Sequence, residues 1–325
     1  MSKYFLSFGL GMAIVKEQTE ERVYRLVEQW AQGEISIQNV KVKSTDVFVL
    51  DVIYNSKVCS LKYLSFPQHR EKFQSHLVLI NANHDNVIKL YKYLETEDYG
   101  LLLMEQCDND LMNLIESKLI DEDRARKIFF QTVSAVNHLH KRRIAHLDIR
   151  PENIGITSEG DVKLTNFCDS VSVESSKSEI TNILHGSVLY LPPECNSRLE
   201  SYDPFKADVW SLGILLHVLL MNSWPYSGAI AEEMVSKAIC GELDFIDFAH
   251  SSPRLLLLLD SMLDLDPTFR PSCKEILKHA WLVEEDYSSY PSPRLVSPRS
   301  YAEAQQRKSK AKWQNLVGRI NLFKS

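Results

Sequence analysis

The sequence predicts an α+β chain of two lobes, a small β-rich lobe followed by a larger helical one. Two patterns predict it: runs of β-branched and aromatic residues crowd the first third, and beyond Cys107 apolar residues recur at helical spacing. A basic amphipathic stretch near residue 325 adds a separate tail segment.

Thr19 to Ala31 sets Val23, Leu26, Val27 and Trp30 on one helical face, with Gly33 as a stop, so residues 1–33 read as an N-terminal helical extension. Ahead of it, Tyr4–Val15 is apolar and follows Lys3. No A-x-A-like cleavage pattern follows, and the run reads as a buried strand rather than a signal peptide.

Ile35–Val42, Val47–Tyr54 and Lys57–Tyr63 read as three antiparallel strands, Gln68–Ile80 as a helical segment, and Val87–Leu94 and Tyr99–Glu105 as two more strands. These fill a small lobe over 34–107, with a connector at Glu105–Asp108. The large lobe spans 108–283, where Ile128, Phe129, Val133, Val136 and Leu139 line one helix face. Residues 284–325 hold a linker and the tail. Ser288–Ser300 carries Pro291, Pro293 and Pro298 among serines, and its two Ser-Pro-Arg triplets suit either a semi-rigid spacer or proline-directed phosphorylation.

A net charge of −6, with 44% hydrophobic and 25% charged residues, excludes collagen-like, disordered and disulfide-framework classes. Cys59, Cys107, Cys168, Cys195, Cys240 and Cys273 stand apart with no CxxC pair, which points to reduced thiols and a cytoplasmic setting. Leu212–Met221 is too short to span a bilayer by itself. The charge is unevenly spread: residues 305–325 carry +6 and the remainder −12, a pairing that favours docking of the tail on its own body or on an acidic partner.

The chemistry concentrates in His146-Leu147-Asp148-Ile149-Arg150-Pro151-Glu152-Asn153. A carboxylate and an amide five residues apart, just after a helix, can orient a hydroxyl and hold a metal ion. This stretch resembles the catalytic loop of the protein kinase superfamily. Three further motifs carry the resemblance. Gly186-Ser187 with Tyr190-Leu191-Pro192-Pro193-Glu194 is similar to the end of an activation segment, Asp208-Val209-Trp210-Ser211-Leu212-Gly213 to the buried helix after it, and Arg270 to the arginine that pairs with the position of Glu194.

The resemblance implies a bilobal kinase-like fold over residues 34–283, with Asp148 as the base position, Asn153 and Asn166 as magnesium positions, and Lys62, Glu105 and Cys107 as nucleotide positions. Several parts depart from the kinase pattern. The segment Asn39–Asp46, where a glycine-rich loop belongs, has no glycine, although Lys41 or Lys43 offers charge. Counting back from His84 puts Ser75 at the glutamate that normally pairs with Lys62, with Glu71 as the nearest rescue. The metal-binding Asp-Phe-Gly reads Asn166-Phe167-Cys168, and Asp169 stands close but out of register. Leu147 replaces an arginine that grips activation-loop phosphate, so Ser170, Ser172, Ser175, Ser176 and Ser178 are poor switches.

The expected protein is therefore a pseudokinase that serves as a protein-binding scaffold, with a weakly active, tail-inhibited Ser/Thr kinase and a non-catalytic nucleotide switch as alternatives. No cofactor is expected unless residual nucleotide binding brings ATP and magnesium. The loop sequence resembles the titin, twitchin and obscurin group of giant muscle kinases, above all the degenerate first kinase-like domain of the obscurin members. That resemblance implies sarcomeric or signalling protein partners and a tail that folds back. Trp313, Val317, Ile320, Leu322 and Phe323 form its apolar face; Trp313, Val317 and Leu322 have the spacing that suits a calmodulin-like groove. A tail helix packed permanently on its own lobe fits the same pattern. Neither nucleic acid nor a membrane is expected as a partner.

Overall fold

The computed structural model describes residues 21–42, 46–117, 120–174, 177, 179–181, 186–196, 201–228, 230–240, 242–243 and 252–283. The expectations for Tyr4–Val15, Lys43, Ser175, Ser176, Ser178, the linker, and Trp313, Val317, Ile320, Leu322 and Phe323 in the tail lie outside these residues, as does the side chain of Lys41.

The chain divides into two compact units, Met1–Asn83 with Ile88–Gln106, and His84–Val87 with Cys107–Ser325. The first is built on an antiparallel sheet ordered β1-β2-β3-β5-β4, from β1 (Ile35–Val42), β2 (Val47–Tyr54), β3 (Lys57–Ser65), β4 (Leu90–Glu95) and β5 (Tyr99–Glu105). Alternation along β2 turns Phe48, Leu50 and Val52 inward, where they meet Leu61, Tyr63, Leu101 and Leu103. Helix α1 (21–31) sets Val23 and Val27 into that same core. The expected extension is thus part of the first unit, because its apolar stripe has the sheet to bury against.

The other face of the sheet buries Leu64 and Leu102 against Phe73 of α2 (Arg70–His76), which tightens into a 3₁₀ turn over Leu77–Asn81. Gly100 on β5 allows this packing: a Cβ there would lie 2.3 Å from the Phe73 ring. Two expected boundaries shift. The strand expected from Val87 starts at Leu90, because Val87 instead bridges Leu164 in the second unit, where the Asn86 side chain also bonds to Gln131 and Val162. Cys107, placed in the small lobe by the sequence reading, likewise belongs to the second unit.

The second unit begins with β6 (Asn109–Asp110), α3 (Leu111–Glu116) and the long α4 (Glu122–Lys141). Asp121 caps α4 by accepting the Arg124 N–H at 2.8 Å, and the face with Ile128, Phe129, Val133, Val136 and Leu139 is buried as its spacing requires. Short strands β7 (Ile144–Ala145), β8 (Ile154–Ile156), β9 (Val162–Leu164) and β10 (Val171–Ser172) frame the catalytic-loop sequence, and β11 (Ile180–Thr181) pairs with β12 (Ser201–Tyr202).

Helix α5 (Pro204–Met221) starts on the Asp203 cap with Pro204 in its first turn and stops at Asn222 in the left-handed region. By length and composition it could cross a membrane, and it is longer than the run judged too short in the sequence. It is 78% buried inside the unit, as suits a core helix apolar on all sides. Helices α6 (Ala231–Cys240), α7 (Pro253–Met262) and α8 (Cys273–Ile276) complete the described part.

Candidate functional site

The functional residues fall on both units. In the second, the loop after β7 is fixed from below by Asp208 of α5, which is fully buried and accepts the backbone N–H groups of His146 at 2.9 Å and Leu147 at 2.8 Å. His140 at the end of α4 donates to the same carboxylate at 2.8 Å and lies 3.6 Å from the Cys273 sulfur. These bonds hold Leu147 at a φ of +62°, a conformation that costs an ordinary side chain about 1 kcal/mol or more. The His146 ring donates from Nε2 to Thr165 O at 2.9 Å and stacks edge-on against buried Phe167.

Asp148 therefore projects from a rigid loop. Asn153 Nδ2 donates to its backbone oxygen at 2.8 Å and to its carboxylate at 2.6 Å. Asn166, at a φ of +58°, donates from Nδ2 to Asn153 Oδ1 at 3.1 Å and reaches the Asp148 carboxylate at 3.4 Å. The three expected residues meet as a network closed by two amides. Burial pushes the Asp148 carboxyl above the usual carboxylate range, and the charge of Asp169 adds to the rise while the Asn153 bond opposes it. Asp169 thus acts on the site through its field, from the 3₁₀ turn that follows Asn166.

Two neighbours shape what this network can do. Arg150 is turned onto Glu152 in a two-pronged pair, with Nε at 2.9 Å from Oε2, so its charge is neutralised locally. Leu147, at the position where the resemblance implies a phosphate-gripping arginine, joins an apolar cluster with Leu191, Cys195, Tyr202 and Ala207.

Of the nucleotide positions, Cys107 packs on β8: a Cβ at Gly155 would come within 2.3 Å of its sulfur. Glu105 ends β5, and its carboxylate accepts the Lys89 N–H at 3.2 Å. Lys62 lies on β3, paired in register with Val49 and Leu102. Its ammonium meets Nε2 of His76, 3.4 Å away on α2. The expected counterpart, Ser75, is one residue off, because the helix passes into a 3₁₀ turn and counting back from His84 at a fixed pitch slips. Glu71 is exposed and offers no rescue. The missed signal was the buried i, i+3 pair Phe73 and His76.

The framework motifs also fall into place, with Arg270 paired to Glu194 and stacked on Trp210 at 4.9 Å. Residues 15–282 match the protein kinase domain family. The chain belongs to that family. The kinase domain is 34% identical over 202 residues to CBL-interacting serine/threonine-protein kinase 15 of Arabidopsis thaliana, covering 61% of this chain and 47% of the relative. It is 28% identical over 298 residues to sperm motility kinase 1 of Mus musculus, covering 86% of this chain and 57% of the relative, and 28% identical over 236 residues to sperm motility kinase 2B, covering 69% and 48%. The chain spans about half the length of these relatives. They favour a Ser/Thr kinase lineage over the scaffold expected first, and they do not show the muscle-kinase placement, which rests on the loop, its surroundings and the tail sequence.

Proposed function

We propose that this domain is an atypical Ser/Thr protein kinase with strongly attenuated phosphoryl transfer. The observation that carries the reading is the Asp148–Asn153–Asn166 network: the base position is held on a rigid loop, and the metal position presents an amide. The Ser/Thr kinase relatives support the substrate class.

The donor set fits magnesium in a weak form, since Asn153 and Asn166 offer neutral amide oxygens where the cation favours a carboxylate. Asn166 donates its N–H to Asn153 Oδ1, so one lone pair of the Asn153 oxygen is already engaged. Bound magnesium neutralises charge on the phosphates of ATP. Asp148, its carboxyl raised by burial, accepts the proton of the incoming serine or threonine hydroxyl. A loss of about 4 kcal/mol in the transition state from the missing carboxylate lowers the rate roughly a thousandfold.

The Asn166 amide also favours a second reading, a kinase fold kept as a protein-binding platform without transfer. Transfer of the γ-phosphoryl of ATP to a mixed Ser/Thr peptide pool separates the two. Incorporation that disappears in Asp148→Ala supports the kinase; equal incorporation by both proteins rejects it and leaves the platform.

A further inference from the structure

We infer that His76 is the positioning residue for Lys62, taking on α2 the part that a helix carboxylate plays in a complete kinase site. The inference rests on the proposed kinase reading for its consequence, and on geometry for its substance. His76 is 1% exposed and shares the buried face of α2 with Phe73. Its Nδ1 lies 2.7 Å from the backbone oxygen of Lys72, one turn earlier on the same helix. A carbonyl only accepts, so Nδ1 carries the proton. The lone pair then sits on Nε2, which faces the Lys62 ammonium at 3.4 Å. An ammonium only donates, so both ends of the imidazole are used in the one tautomer that satisfies both partners.

The arrangement holds Lys62 by a hydrogen bond with no formal negative charge. The imidazole directs the Lys62 ammonium from α2 without itself contributing the charge of an ion pair. His76 acts through Lys62 and touches no substrate, which makes it a positioning residue. Ser75 and exposed Glu71 are excluded from the part by where α2 places them.

The test reads the imidazole directly. In ¹⁵N-histidine-labelled protein, the His76 signals, assigned by their loss in His76→Gln, should show a protonated Nδ1 and a bare Nε2. Lys62→Met should move the Nε2 resonance without changing the tautomer. A proton on Nε2, or an Nε2 resonance unmoved by Lys62→Met, overturns the inference whether or not the protein binds ATP. A second readout is ATP affinity with magnesium. His76→Leu should weaken it about tenfold, the worth of one hydrogen bond to a charged group, and His76→Gln, which keeps an acceptor, should restore most of it. Equal affinities in the two variants reject the positioning role. If the wild-type chain binds no ATP, the proposed kinase function fails while the tautomer result stands by itself.

Discussion

Arg270 meets Glu194 through two parallel hydrogen bonds, 2.5 and 2.9 Å long, with both side chains almost wholly buried. Its Nε and Nη1 also donate to the backbone oxygens of Asp264 and Lys206, and its plane lies over Trp210. The pair therefore ties the segment before α5 to the turn before α8. Glu194→Ala strands the guanidinium, and should cost about 3–5 kcal/mol in urea unfolding. Replacing both partners by methionine should recover much of that loss, because no buried charge is then left unpaired.

Gly186 has a φ of +77°, and a Cβ there would stand 2.5 Å from Leu147 O and 3.1 Å from Asp148 Oδ1. Gly186→Ala should destabilise the protein and displace the catalytic loop. Gly160 provides the comparison, with a φ of +88° and open space around it. Gly160→Ala should cost only the backbone term, about 1 kcal/mol, with base-dependent phosphoryl transfer unchanged. Thermal unfolding and the transfer assay together separate strain from collision.

Burial holds His217 and His138 near a pKa of about 4, and lowers His84 and His279 as well. In the unfolded chain these groups bind protons near pH 6.5. Between about pH 6.5 and 4 the unfolded state takes up protons that the folded state refuses, so stability falls on acidification. His217 alone accounts for about 3 kcal/mol at the acid end. His140 acts in the opposite sense: burial works against its charge, but Cys273 and Asp208 outweigh it and push the pKa up to about 10. Its contribution is full below pH 6.5 and is lost as pH rises toward 10. Stability against pH should form a dome, and His140→Gln should flatten its alkaline limb while leaving the acid limb in place.

The strands β1 and β2 begin and end where alternation and turn residues put them, because each turns one face to the core, and β5 keeps its expected bounds as an apolar run buried on both faces. The loop around Asp148 and the Arg270–Glu194 pair were equally legible, since their residue types are tied to fixed chemistry. Asn166 was read as a weak ligand, but its bond to Asn153 depends on a positive φ that residue type alone does not reveal. His76 was hidden by a change of helix pitch, and the neutralisation of Arg150 by Glu152 involves neighbours whose rotamers the sequence leaves open. Val87 left its strand because Leu164, 77 residues further on, competes for it.

The amide at residue 166 is what limits phosphoryl transfer in the proposed function. Initial rates of ATP-dependent phosphoryl transfer in wild type, Asn166→Asp and Asp148→Ala, over a magnesium titration, test it most directly. Slow transfer is expected in wild type, none in Asp148→Ala, and in Asn166→Asp a rate at least tenfold higher that saturates at lower magnesium. An Asn166→Asp rate equal to or below that of wild type, with an unchanged magnesium dependence, would contradict it.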